Sequence, residues 1–209
     1  MDISLSRLHF PVTTLGPGKR IGIWTQGCTI RCPGCISQDT WRFNRDKTPI
    51  SELLAQLHPW LQQADGITIS GGEPFDQPEA LAALLTAIRQ VFSGDILVFS
   101  GYPLATLSPY LQRMPGLIDA LMSEPFEQQS PQTMRLRGSD NQQLHLLTEQ
   151  GQNIFRSFEQ PLNDGEKMLD LAIDERGTVS LIGIPRRDDL QRLHTLLEQQ
   201  GHQFTPIIK

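Results

Sequence analysis

Short apolar runs alternate with helical stripes through the first two thirds of the chain. After the turn signal Gly16-Pro17-Gly18, residues 21–25 (IGIWT) read as a short buried strand. A helix is predicted over 49–63, with Thr48 as N-cap and Pro49 in the first turn, and with Pro59 bending or ending its last turn. Residues 67–69 form a second strand that runs into Gly71-Gly72-Glu73-Pro74. Asp76 and Glu79 have capping-box spacing, and Leu81, Leu84, Leu85 and Ile88 then mark one face of a helix. Residues 96–99 make a third strand ending in Ser100-Gly101-Tyr102. A short helix over 104–113 leads to a fourth strand near 117–122. A fifth is expected around 134–136, ahead of Arg137-Gly138-Ser139-Asp140-Asn141-Gln142.

This alternation predicts a parallel α/β architecture with right-handed crossovers. The cysteine loop, the Gly-Gly-Glu loop and the Ser-Gly-Tyr loop each follow the C-terminal end of a predicted strand. In parallel folds those ends share one face, and active sites are built there. The texture changes at residue 143. Residues 143–166 are polar and glutamine-rich, 167–173 and 178–182 flank Asp174-Glu175-Arg176-Gly177 as a hairpin, and Leu190, Leu193, Leu196 and Leu197 stripe a last helix that Gly201 can end. The expected organisation is a core over 1–142 with an extension, 143–209, packed on it.

Composition narrows the class. A chain of 209 residues with 38% hydrophobic and 20% charged residues is sized for one domain with a real core. A net charge of −5 does not suit nucleic acid or an anionic membrane. No apolar run approaches the ~20 residues of a membrane span, and MDISLSRLHF lacks a signal-peptide pattern. A cytoplasmic protein is expected.

All three cysteines, Cys28, Cys32 and Cys35, fall in one short loop. An odd number this closely spaced fits a metal site in a reducing compartment rather than a disulfide framework. Three ligands leave one corner of a four-iron cluster or a tetrahedral zinc open to a substrate or cofactor. Residue types alone also allow a structural zinc completed by a histidine or an aspartate, with His9 and His58 available, or a passive electron-transfer cluster. Trp24 and Trp41 flank the loop and are expected to pack around it.

The run Gly27-Cys28-Thr29-Ile30-Arg31-Cys32-Pro33-Gly34-Cys35 has the Cys-x3-Cys-x2-Cys spacing of the radical S-adenosylmethionine superfamily, which it resembles. Within that superfamily the chain is similar to the glycyl-radical-enzyme activating proteins. The likeness is carried by Gly16-Pro17-Gly18 with Arg20, by Asp39-Thr40-Trp41 after the cysteines, and by Ser70 through Pro74, Ser100-Gly101-Tyr102 and Arg137 through Gln142. It covers roughly residues 10–145. Ser37 stands where family members often have asparagine, and residues 146–209 lie beyond the usual end of the short activases.

The resemblance implies a partial (βα) barrel of parallel strands with a small β-hairpin and helix as extension. It implies a [4Fe–4S] cluster on Cys28, Cys32 and Cys35, with S-adenosylmethionine on the fourth iron. Gly71, Gly72, Glu73 and Pro74 would hold the methionyl end: the glycines allow close backbone approach, and Glu73 accepts from the ammonium group. Ser100 and Asn141 are assigned to the ribose or adenine, and Arg20 or Arg137 to a carboxylate or the partner's backbone. The implied partner is a glycyl radical enzyme or another protein or peptide substrate, and the implied reductant a flavodoxin or ferredoxin. Two alternatives remain at this point. The enzyme could act directly on a peptide or small molecule recognised by residues 143–209, or the chain could be a non-enzymatic iron–sulfur or zinc protein.

Overall fold

A strand that the periodicity does not announce opens the chain. In the computed structural model, which describes residues 1–43, 47–173 and 179–201, β1 (Asp2–Val12) pairs antiparallel with β2 (Arg20–Thr25) and with β3 (Lys47–Pro49). Its register slips between Leu5 and Arg7 and again between His9 and Val12. Leu5, Leu8 and Phe10 therefore pack against the main core although their spacing is not strictly alternate. After the second slip Val12 joins Trp24, Leu15 and Ile182 in a separate cluster.

The crossovers follow. α1 (Ile50–Leu61) leads to β4 (Gly66–Gly71), α2 (Pro78–Arg89) to β5 (Asp95–Phe99), and α3 (Leu104–Arg113) to β6 (Ala120–Ser123). β2, β4, β5 and β6 are parallel neighbours, and β7 (Gln143–Leu146) adds antiparallel to β6. The seven-stranded sheet runs β3-β1-β2-β4-β5-β6-β7, a mixed α/β sheet with a parallel centre. One face buries Ile21, Ile23, Ile67, Ile69, Ile96 and Val98 under the helices. Leu81, Leu84, Leu85 and Ile88 are all fully buried, as their i, i+3, i+4, i+7 spacing predicts. On the other face α4 (Glu149–Phe155) places Phe155 against Leu97, Ala120 and Met122.

Several local expectations are corrected. Thr48 does not cap α1: it pairs with Ile3 in β3, and Pro49 precedes the helix with no side-chain cap. Pro59 lies in the last turn of α1, which ends at Leu61, as expected. Asp76 does not cap α2, which begins at Pro78 after Gln77. Asp76 ends a 3-10 turn (Pro74–Asp76), and its carboxylate is used elsewhere. No strand forms at 134–136, where a single bridge joins Met134 to Pro161. Asp140 accepts the N–H groups of Thr133 (2.7 Å) and Met134 (3.2 Å), and Leu136 turns left-handed (φ 60°), so this stretch curls.

β8 (Leu169–Ile173) and β9 (Val179–Gly183) form the expected antiparallel hairpin, and α5 (Asp189–Gln199) ends before Gly201 at φ 80°. The turn predicted at 174–177, and Thr178 with it, lie outside the described residues. Asp170 ties the hairpin to the core by accepting from Thr13 N (2.7 Å), Thr13 Oγ1 (2.8 Å) and Thr14 Oγ1 (3.0 Å). α5 has no fully buried residue, and Leu190 and Leu196 are exposed.

The parallel strands fix two unlike ends. At their N-terminal end, fully buried Arg20 pairs with Asp95 at 2.5 Å and donates to Thr68 Oγ1 (2.6 Å) and Ile67 O (2.8 Å). Gly16 and Gly66 leave room for this guanidinium, since a Cβ at either would come within 2.8 or 2.4 Å of it. At the other end the register aligns Thr25 with Gly71, and the cysteine, Gly-Gly-Glu and Ser-Gly-Tyr loops collect there with the loop after β6.

Candidate metal centre

The cysteine loop is held by backbone pairing before any metal is considered. Gly27 N donates to Thr40 O (2.7 Å), Cys28 N to Trp41 O (3.3 Å), and Gln26 N to Ser4 O (2.9 Å). Left-handed Arg31 (φ 50°) and Gly34 (φ 75°) curl the chain. Ser37 N donates to Cys35 Sγ at 3.4 Å. The backbone N–H groups of Ile30 and Arg31 favour the Cys28 thiolate electrostatically, and those of Cys32 and Phe126 the Cys32 thiolate. Burial pushes both thiols up, and these donors oppose it. N–H groups close to sulfur stabilise bound thiolate and tune the potential of an iron–sulfur cluster, so the loop fits one.

Among the described residues no three His, Cys, Asp or Glu side chains, the three cysteines included, stand close enough together to hold a metal ion. His9 lies on β1 near Asp170, and His58 is exposed on α1. Trp24 packs with Val12, Leu15 and Ile182 rather than around the cysteines.

Backbone also joins the Gly-Gly-Glu loop to the cysteine loop. Gly72 N donates to Thr25 O (2.9 Å) and Glu73 N to Gly27 O (2.8 Å). A Cβ on Gly72 would lie 2.0 Å from Gly27 O, and one on Gly71 (φ 106°) 2.6 Å from Thr25 N and O. The contact that requires glycine here is with the protein's own chain.

Glu73 is 1% exposed. Its Oε1 accepts from Phe75 N (3.0 Å) and Ser100 Oγ (2.8 Å), and its Oε2 from Gly101 N (2.8 Å). Burial pushes its carboxyl up to about 7 against these donors. It acts electrostatically on the Cys28 and Cys32 sulfurs. Pro74 is buried in the first position of the 3-10 turn.

Asp76 is a site residue that sequence reading assigned to a helix cap. Its carboxylate accepts from Thr29 N (2.7 Å), Thr29 Oγ1 (3.0 Å) and Tyr102 OH (2.7 Å). It thus ties the residue after Cys28 to the Ser-Gly-Tyr loop. Burial, with Asp76 beside it, pushes the Tyr102 phenol up to about 12, so the phenol keeps its proton.

The remaining candidates divide. The Ser100 hydroxyl donates to Glu73 and accepts from Tyr102 N (3.1 Å). Asn141 donates to Pro125 O (2.8 Å), while its Oδ1 is buried with no protein partner. An orphaned buried acceptor is costly unless a ligand or an ordered water supplies its donor. Arg137 pairs with Glu159 at 2.8 Å, and its Nε has no partner. The carboxylate that Arg20 faces is Asp95, at the opposite end of the sheet from the cysteines.

Three free cysteines in one loop, an adjoining buried carboxyl and the unmatched acceptor of Asn141 are what the structure gathers at this end of the sheet. A protein-family profile described as a 4Fe-4S single cluster domain matches residues 14–145. The chain is 31% identical over 149 residues to the anaerobic ribonucleoside-triphosphate reductase-activating protein of Salmonella typhi, covering 66% of this chain and 96% of that protein. It is 31% identical over 150 residues to the protein of the same name from Vibrio cholerae (67% and 96% covered). Against that from Enterobacteria phage T4 it is 27% identical over 139 residues (64% and 88%). The chain belongs to this family of radical S-adenosylmethionine activating enzymes, whose cofactors are a [4Fe–4S] cluster and S-adenosylmethionine.

Proposed function

We propose that the chain cleaves S-adenosylmethionine reductively and installs a glycyl radical on a partner enzyme. The observation that carries this is the backbone junction of the two loops, Glu73 N to Gly27 O, which holds a buried carboxyl beside the thiols of Cys28 and Cys32. When bound, the cluster and S-adenosylmethionine supply one-electron cleavage of the sulfonium to methionine and a 5′-deoxyadenosyl radical.

The chain's own residues do the rest. Cys28, Cys32 and Cys35 would hold the cluster. Glu73 Oε2 takes one protein donor, Gly101 N, and keeps a lone pair for the ammonium group of the methionyl end. A cation there draws the carboxyl to its charged form. Gly71, Gly72 and Pro74 set the path of that loop, Ser100 orients Glu73, and Asn141 Oδ1 offers an acceptor to the adenosyl end. The parallel strands form the wall of an open partial barrel with this site at its mouth.

The relatives' name points to an anaerobic ribonucleoside-triphosphate reductase as partner. A flavodoxin or ferredoxin is the proposed reductant, and the cytoplasm the proposed location. Among the described residues no helix is long and apolar enough to cross a membrane. A second reading, in which the segment beyond residue 145 presents a peptide or small molecule directly to the site, is supported by the reach of Arg187 to Glu127 O in the loop after β6.

The test is anaerobic reconstitution with iron and sulfide, then dithionite and S-adenosylmethionine, scored for 5′-deoxyadenosine. Production that disappears in Cys28→Ala, Cys32→Ala and Cys35→Ala is expected. Adding the reductase should yield a glycyl-radical signal by electron paramagnetic resonance. A chain that holds its cluster yet forms no 5′-deoxyadenosine would overturn the proposal.

A further inference from the structure

The loop after β6, residues 124–130, lies against the cysteine loop. Its Gln128 side chain occupies the space before Gly34, where a Cβ would come within 2.9 Å. Pro125 Cα and the Ile30 side chain meet at Gly101, 3.7 and 2.8 Å from a Cβ placed there. The backbone N–H of Phe126 lies near enough to favour the Cys32 thiolate electrostatically.

One side of this loop is held from within the region shared with the family. Ser139 Oγ accepts from Glu127 N (3.0 Å), Asn141 Nδ2 donates to Pro125 O (2.8 Å), and Gln142 Nε2 to Glu124 O (3.3 Å). The other side is held by the segment joining β9 to α5, beyond residue 145. There Arg187 donates through Nη1 to Gln128 O, and through Nη2 to Ser130 O and to Glu127 O (3.4 Å). Its guanidinium carbon lies 5.5 Å from the centre of the Phe126 ring. Pro185 O accepts from Gln132 Nε2 (3.2 Å). Arg186 turns elsewhere, donating to Asn163 O (2.7 Å) and pairing with Asp164.

We propose that Arg187 is a positioning residue of the metal centre: supplied by the extension, it clamps residues 126–130 onto the Cys32–Gly34 side of the cysteine loop. The proposal rests on the reading of the three cysteines as cluster ligands. The planar, five-donor guanidinium suits the task, because it reaches several carbonyls in a fixed fork while lying over an aromatic ring. A lysine keeps the charge and loses the fork. Arg187 is exposed, so water competes for each contact. The effect is therefore on how often the loop lifts off Cys32 rather than on global stability.

The experiment uses the full chain as wild type, Arg187→Ala, Arg187→Lys and Arg186→Ala. In the metal-free protein, iodoacetamide labelling is mapped by mass spectrometry, with Cys28 as internal reference. Arg187→Ala should label Cys32 about fivefold faster relative to Cys28, the effect of roughly 1 kcal/mol on loop opening. Arg187→Lys should fall between it and wild type, and Arg186→Ala should match wild type. After reconstitution, iron transfer to a chelator should follow the same order, and the reduced cluster's paramagnetic signal should change in Arg187→Ala alone. Unaltered Cys32 labelling in Arg187→Ala would overturn the proposal. So would equal effects of Arg186→Ala and Arg187→Ala, which would assign the protection to the extension's packing at large. The labelling involves neither iron nor S-adenosylmethionine, so a failure to cleave the latter counts against the proposed function and not against the clamp.

Discussion

Replacing Gly72 with alanine separates two reasons for a glycine at that position. If the missing side chain makes room for a cofactor, the metal-free protein should tolerate the methyl group. If it makes room for the chain itself, the metal-free protein should suffer. The structure supports the second: the new Cβ would lie 2.0 Å from Gly27 O and 2.8 Å from its carbonyl carbon, 1 Å inside the 3.0 Å that real Cβ contacts respect. Gly72 is not left-handed, so the penalty is steric and not conformational. Relief requires the two loops to part, which weakens Gly72 N to Thr25 O and Glu73 N to Gly27 O. Overpacking costs about 1–3 kcal/mol and each weakened backbone bond about 0.5–1.5, so Gly72→Ala should lose about 2–6 kcal/mol. Urea unfolding of the metal-free protein measures this. Gly165→Ala is the control, because its nearest neighbour is Asn163 Oδ1 at 3.7 Å, an ordinary contact. It should stay within about 0.5 kcal/mol of wild type. A Gly72→Ala protein that also stays there, and is impaired only in binding S-adenosylmethionine, would refute the reasoning.

Two further outcomes are expected. Asp76→Ala leaves Thr29 N, Thr29 Oγ1 and Tyr102 OH without their shared acceptor; because the site is partly open to water, the metal-free protein should lose about 1–2 kcal/mol, and the reconstituted one should release iron faster to a chelator. An unchanged unfolding midpoint would remove Asp76 from the site. Burial pushes the Asp170 carboxyl up, but Lys167, Thr13 and Thr14 outweigh it, and its pKa lies below the usual value. The stabilisation is therefore fully present above the unfolded-state pKa of about 3.9 and is lost as pH falls through the lowered folded value. Amide protection over 12–14 and 169–172, taken relative to the intrinsic exchange rate at each pH, should fall in that acid window in wild type, and at neutral pH in Asp170→Ala.

The parallel centre of the fold was legible because its strands are short, apolar and punctuated. The stripe Leu81, Leu84, Leu85, Ile88 could be read because one helix face alone meets the sheet. β1 was not legible, because two register slips break its alternation of apolar and polar positions. The false strand at 134–136 has the right residue types, yet Asp140 takes the N–H groups a ladder would need. Spacing sufficed to gather Cys28, Cys32 and Cys35 at one strand end. It could not show Asp76 at the same place, because a carboxylate three residues before Glu79 also satisfies the rule for a helix cap. The Arg20 motif misled in another way. It lies close to the cysteines in sequence, but the length of β2 carries it to the far end of the sheet.

The hydrogen bonds that shape the cysteine loop carry a second message in the chain. Thr40 O, Trp41 O and Asp76 hold Gly27, Cys28 and Thr29 through their backbone N–H groups. The spacing of the thiols is therefore written partly outside the cysteine motif, in the turn that follows it and in a carboxylate nearly fifty residues on. A substitution that shifts either would move the sulfurs without altering a cysteine.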